Sequence, residues 1–152
     1  MRVTAKVDYA VRATMELARA APRDPVKGDH IARAQAIPIK FLENILSDLK
    51  RGGLVATQRG AEGGYWLARP AEEITVADII RAVEGPLAAV RGLQPQDVES
   101  DGDLAVLQRM WVAVRAALRS VLEHVTVADL ASGALVPEVD RLADTEDAWA
   151  RR

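Results

Sequence analysis

Between residues 38 and 51 the sequence places cations, a carboxylate and an amide on a helical repeat, beside a proline and a lone phenylalanine. These groups need neither a metal nor an activated water, because what they can do is recognise hydrogen-bonding edges. Pro38, Lys40, Phe41, Glu43 and Asn44 stand at the start of the stretch. Lysine can meet guanine or a phosphate, glutamate can accept from the cytosine amino group, and asparagine can read adenine. Phe41 suits a thymine methyl or a sugar, and equally the underside of its own helix; the sequence leaves both open. Lys50 and Arg51, at the far end, are placed for phosphates. A second group follows in Gln58-Arg59-Gly60-Ala61-Glu62-Gly63-Gly64-Tyr65. There Arg59 stands next to Gly60, and Gly63 with Gly64 lets a hairpin approach a ligand closely. A narrow minor groove attracts arginine, so Arg59 is the principal wing candidate. Lys6 and Tyr65 complete the candidate DNA-binding set.

The elements around these residues are readable from periodicity. Val7, Ala10, Val11, Thr14, Leu17, Ala18 and Ala21 recur at helical spacing after Thr4, a good N-cap, and Pro22 ends the run. A short helix over residues 28–34 runs into Pro38, which opens the next one. Leu42, Ile45, Leu46 and Leu49 form the apolar stripe of a helix over 39–51, closed by Gly52-Gly53. Leu54–Thr57 and Tyr65–Ala68 read as two short strands around the glycine-rich turn. Helix, turn, helix and hairpin in this order predict a winged helix-turn-helix. Thr75 and Asp78 then resemble a capping box for a helix carrying Val76, Ile79, Ile80 and Val83, stopped by Gly85-Pro86.

Leu104, Leu107, Trp111, Val114, Leu118, Val121 and Val125 are spaced alternately by three and four. That is an a/d seam over about three heptads, the pattern of a helix that pairs with another helix. The expected fold class is therefore mainly α with a small β-hairpin. The expected division is a winged helix-turn-helix domain over 1–86, a loop over 87–102, a dimerisation helix with a short following helix over 103–131, and an acidic, flexible tail over 132–152.

Composition narrows the function. The net charge of −2 conceals an asymmetry: residues 1–69 hold 12 Lys+Arg and 7 Asp+Glu (+5), and residues 70–152 hold 8 and 15 (−7). A basic half suits a polyanion, and an acidic half suits a partner or regulatory module. The chain has no cysteine, which excludes disulfides and thiolate-held zinc or iron. His30 and His124 lack metal-ligand spacing, so no metal and no cofactor is expected. There is no Gly-x-Ser-x-Gly elbow and no phosphate-binding loop before a helix, which argues against an enzyme. No apolar run approaches a bilayer span and the first residues lack a signal-peptide core, so a cytoplasmic location away from membranes is expected.

With these residues in view, the chain resembles the IscR/NsrR/CymR-type (Rrf-two) family of bacterial winged helix-turn-helix regulators. The resemblance is carried by Tyr9-Ala10-Val11, Ile37–Leu46, Leu49–Val55, Arg59–Pro70, Ile74–Ile80 with Glu84-Gly85-Pro86, and Thr126–Leu130. It implies a homodimer whose long helix crosses to its partner, and a palindromic operator in double-stranded DNA bound by recognition helix and wing. It also implies that Glu43 tunes base preference and that Arg59 enters the minor groove; a repressor is the expected sign of regulation. Members of the family often sense through an iron–sulfur cluster held by three cysteines in the loop before the long helix. Here residues 90–103 contain none. Asp8 lies where some members place a carboxylate ligand, but one carboxylate cannot hold a cluster, so cluster sensing does not carry over. A small effector bound near the dimer helix and a protein partner are both open as regulators. The alternative function is a winged-helix protein-interaction module with weak or partner-controlled DNA binding.

Overall fold

The computed structural model describes residues 2–99 and 101–151. Its helices are α1 (Ala5–Arg19), α2 (Gly28–Gln35), α3 (Ile39–Arg51), α4 (Val76–Glu84), α5 (Leu104–Leu122), α6 (Val127–Ser132), α7 (Pro137–Ala143) and α8 (Glu146–Trp149). One hairpin, β1 (Val55–Gln58) with β2 (Gly64–Leu67), sits between α3 and α4. The strands are antiparallel, with Val55 opposite Leu67 and Gln58 opposite Gly64.

Helix α1 is the centre of the molecule and packs against α2, α3, α4, α6 and β2. Thr4 caps it by accepting from the Val7 N–H at 3.2 Å. Its buried side is Val7, Ala10, Ala13, Thr14 and Leu17, small enough for several helices to approach it. Thr14 is buried but satisfied, since its hydroxyl donates to the Val11 carbonyl at 2.8 Å. The stripe Leu42, Ile45, Leu46 and Leu49 of α3 is fully buried against this centre. Each such side chain contributes about 1.5–3 kcal/mol relative to exposure, which fixes the rotation of α3 and so decides which residues it offers to solvent.

Two capping boxes meet at a single place. Thr75 and Asp78 exchange backbone bonds at 3.1 Å at the start of α4, and Thr126 and Asp129 do the same at the start of α6. The extended residues before these caps pair, with Val76 N–H donating to Val125 O and Val127 N–H to Ile74 O, both at 2.9 Å. Val127 is fully buried in the same cluster as α1 and α3.

Three expectations change. Val125 does not extend the a/d seam: α5 ends at Leu122, and Val125 is buried beside α4 as the extended residue before the Thr126 cap. The short helix after α5 does not stay with it but returns to the core of the winged domain, through Val127. The tail, read as flexible, contains α7 and α8, with Val139 buried. Pro137 at the first turn of α7 and Glu138 with Asp140 near its N-terminus favour helix there.

Candidate nucleic-acid interface

Burying one stripe of α3 leaves Lys40, Glu43, Asn44, Ser47, Lys50 and Arg51 exposed at the spacings of a single opposite face. Ser47, at the middle of this face, is absent from the candidate set; the i, i+3, i+7 spacing from Asn44 and Lys40 is the signal that finds it. Lys40 and Glu43 form an exposed ion pair at 3.3 Å, which holds both near the helix start. Pro38 occupies the N-cap position, and no side chain caps the free N–H groups of the first turn. That end carries partial positive charge and donors, which suits a phosphate.

Phe41 packs its ring edge-on against Tyr9, with centroids 5.7 Å apart and planes at 82°, yet remains 37% exposed. It is therefore wedged against α1 with one side still free. Arg12 lies over the other partner, 5.5 Å from the Tyr9 centroid. Arg12 also donates to the Gln35 carbonyl and to Asp8, at 3.3 Å for the latter, and so ties α1 to the end of α2. At the same junction Glu16 accepts from Gln35 at 2.7 Å and from Arg19 at 2.8 Å, with His30 at 3.5 Å. Burial pushes the Glu16 carboxyl up, but the bonds from Gln35 and Arg19 and the charges of Arg19 and His30 outweigh it and leave it below its usual value.

Lys6 and Arg51 converge on Asp48. Lys6 lies 2.7 Å from that carboxylate and donates to the Val83 carbonyl, also at 2.7 Å. Its ammonium thus joins α1 to α3 and α4, a task other than the DNA contact expected of it. Arg51 makes the second ion pair to Asp48 but is itself exposed. Lys50 is exposed, and no partner is seen for its ammonium among the described residues.

The wing is built by backbone geometry. Gly60 has φ 102, a conformation a side chain resists, and its carbonyl accepts from the Gly63 N–H at 3.1 Å. A Cβ on Gly63 would lie 2.1 Å from the Gln58 carbonyl oxygen, and one on Gly64 would lie 2.7 Å from that of Val26. Both glycines are buried, so their part is to let the hairpin close rather than to touch a ligand. Tyr65 exchanges two backbone bonds with Val26 at 2.8 Å each, which adds a third strand segment to the hairpin. Its half-buried ring lies against Gly28. Arg59 stands exposed at the tip, with no bond or ion pair among the described residues.

Lys27, which sequence reasoning passed over, organises this tip. It lies just before α2, and its ammonium donates to the carbonyls of Gly60 and Ala61 at 3.2 and 2.5 Å. The wing is therefore pinned to the helix-turn-helix at its tip as well as its base.

Helix α5, the longest of the helices, has none of its 19 residues buried. Leu104, Leu107 and Trp111 are 59, 46 and 37% exposed, and Val106, Met110 and Val112 widen the apolar surface beside them. Val114, Leu118 and Val121 are half-buried. At its end Glu123 accepts from both Arg119 and Arg81, and these bonds hold its carboxyl down to about 2. Trp66 lines a cavity between the end of α1 and the wing, and neither Trp111 nor Trp149 contributes to it.

The match to a family model covers residues 3–133, from the start of α1 to the turn after α6, and that family is Rrf2, described as an iron-dependent transcriptional regulator. The chain belongs to the Rrf2 family. It is 50% identical over 144 residues to Rv1287 of Mycobacterium tuberculosis, which bears the name of an HTH-type transcriptional regulator; the match covers 95% of this chain and 89% of that one. It is 33% identical over 132 residues to the regulator CymR of Bacillus subtilis, covering 87% and 91%. Among solved structures, CymR of B. subtilis, the global cysteine regulator, superposes with a TM-score of 0.73 at 34% identity over 88% of this chain and 98% of that one. IscR of T. potens gives 0.68 at 32% identity over 100% and 93%. This Rrf2 protein is thus a winged-helix, DNA-binding transcription regulator and not an enzyme.

The family description implies iron, but a thiolate-held cluster does not fit this member. The polar side chains of the loop between α4 and α5 are carboxylates, amides, a guanidinium and a hydroxyl, and no cysteine occurs anywhere in the chain. Its amides serve the loop itself: Gln108 of α5 donates to the carbonyls of Pro95, Gln96 and Val98 at 3.3, 3.4 and 2.6 Å. Among the described residues no group of His, Asp and Glu is disposed to hold a metal ion. Among the described residues no helix is long and apolar enough to cross a membrane.

Proposed function

We propose that this Rrf2 regulator binds a palindromic DNA operator as a homodimer, acts as a repressor in the cytoplasm, and does so without an iron–sulfur cluster. The observation that carries the reading is α5: a 19-residue helix with an a/d seam and no buried residue in its own chain. Isolated apolar surface of this extent marks an interaction site, and the a/d spacing makes another copy of the same helix its natural complement. A two-fold axis along α5 presents two copies of α3 and two wings to DNA, and a two-fold protein reads a two-fold site, with half-sites one turn apart, about 34–36 Å.

On each half-site Lys40, Glu43 and Asn44 meet base edges from the major groove. Lys50 and Arg51 meet phosphates, and Arg59 enters the adjacent minor groove. Phe41, braced by Tyr9, offers its free edge to a sugar or thymine methyl.

Sedimentation velocity of the wild type and of Leu107→Glu tests the assembly. The wild type is expected at twice the 16.5 kDa of one chain, and the variant at one. A wild-type monomer at micromolar concentration would overturn the dimer, and a dimeric variant would overturn the seam.

A further inference from the structure

Where α4 ends, the loop turns and α5 passes, there is a cavity of about 300 Å³ lined by Arg81, Gly85, Pro86, Leu87, Gln94 and Arg115. Its two guanidiniums are not equivalent. Arg81 is neutralised by Glu123 and by Asp78, the latter at 3.5 Å. Arg115 is partly buried and has no ion pair among the described residues. One of its terminal nitrogens donates to the amide oxygen of Gln94 at 2.8 Å, while its Nε is fully buried with no hydrogen-bond partner. A buried donor on a charged group without an acceptor is costly.

The bond to Gln94 uses Nη2, and Nε with Nη2 forms the edge of a guanidinium that takes a carboxylate through two parallel bonds. Here that edge is half filled by a neutral amide oxygen, which also accepts from Gln96 at 3.0 Å. We infer that this cavity is a binding site for a small organic carboxylate, with Arg115 as its principal ligand and Gln94 as the group it displaces. Arg81, already paired with Glu123 and Asp78, lines the site and shapes it rather than binding. Leu87 and Pro86 supply an apolar side, so the occupant carries a short hydrocarbon body.

The position gives binding a consequence. Arg115 belongs to α5, Gln94 to the loop, and Gly85 to the end of α4, so an occupant bridges the winged domain and the pairing helix. By drawing the loop towards α5 it sets the angle of one against the other. This places an effector in the regulator proposed above and rests on that reading.

The test is titration of the free protein with sodium succinate, followed through the arginine Nε–H signals in proton–nitrogen correlation spectra, with sodium chloride at equal ionic strength as reference. The Arg115 signal, identified by its loss in Arg115→Lys, is expected to move downfield and to saturate with succinate only. Gln94→Ala, which frees the second donor, is expected to tighten binding by roughly threefold or more, and this variant serves if Arg115→Lys does not fold. An unsaturable shift, or the same shift with chloride, would overturn the site. Regulation is read separately: succinate should change the affinity of the wild type for a selected DNA duplex. A saturable shift with no change in DNA affinity would overturn the effector role while leaving the site, and wild-type protein that selects no DNA would overturn the regulator reading while the titration still decides the site.

Discussion

The ammonium of Lys27 lies 3.2 Å from the carbonyl oxygen of Gly60, bridging the start of α2 to the tip of a hairpin more than thirty residues away. With its second bond, to Ala61, it closes the end of the wing that strand pairing leaves free. Position and charge then act together, since the neighbour of Gly60 is Arg59. Lys27→Met should leave the melting temperature nearly unchanged, because the residue is exposed, and should lower DNA affinity by roughly three- to tenfold. Fluorescence anisotropy on a labelled duplex reads the affinity, and an unaltered value would separate the tip from DNA binding.

Arg59→Ala should cost about 1–3 kcal/mol in DNA binding and reduce the salt slope by about one. Arg109→Ala, exposed on α5, is the appropriate reference and should change neither. Arg81 is not a neutral control, because it ties α4 to Glu123 at the end of α5. Equal losses at Arg59 and Arg109 would remove the wing from the interface.

Much of this was legible in sequence, and the exceptions have physical causes. The capping residues Thr4, Thr75 and Thr126 mark helix starts because their signal is local: a hydroxyl and a backbone N–H three residues on. The buried stripe of α3 is legible for the same reason. Val125 is not, because the a/d spacing runs on past the point where the Thr126 cap demands extended backbone. The third strand segment at Val26, the reach of Lys27 and the cavity at Arg115 depend on residues far apart in the chain, and no spacing announces them. Lys6 illustrates the converse, a basic residue in a basic half whose charge is engaged by Asp48 inside the protein.

The return of α6 to the core predicts where stability resides. Val127→Ala should destabilise the protein by about 2 kcal/mol, through lost burial and the cavity left behind. Val106→Ala, at a position 73% exposed on α5, should cost less than about 0.5 kcal/mol in the fold of one protomer. Urea unfolding of both in the Leu107→Glu background separates folding from association. Comparable losses would mean that α6 is not part of the winged domain.

The Glu123 carboxyl lies at about 2 in the folded protein against 4.5 ordinarily. A depressed carboxylate contributes stability that is fully present above its unfolded value and is lost as pH falls through its folded one. The melting temperature should therefore be insensitive to this group above about pH 5 and should decline from there towards pH 2. In Glu123→Gln the decline should be shallower. An identical profile in the variant would show that the Arg81–Glu123–Arg119 link adds nothing to the joint between α4 and α5.

The most direct test of the account is selection of sequences from random duplex DNA by the purified protein, repeated at low and moderate salt. Enrichment of a palindrome with half-sites one turn apart is predicted, with affinity falling roughly 10³–10⁵-fold between 50 and 200 mM salt for 6–10 phosphate contacts. Absence of any enriched sequence, together with binding indifferent to salt, would contradict it and leave the winged helix as a surface for protein contact.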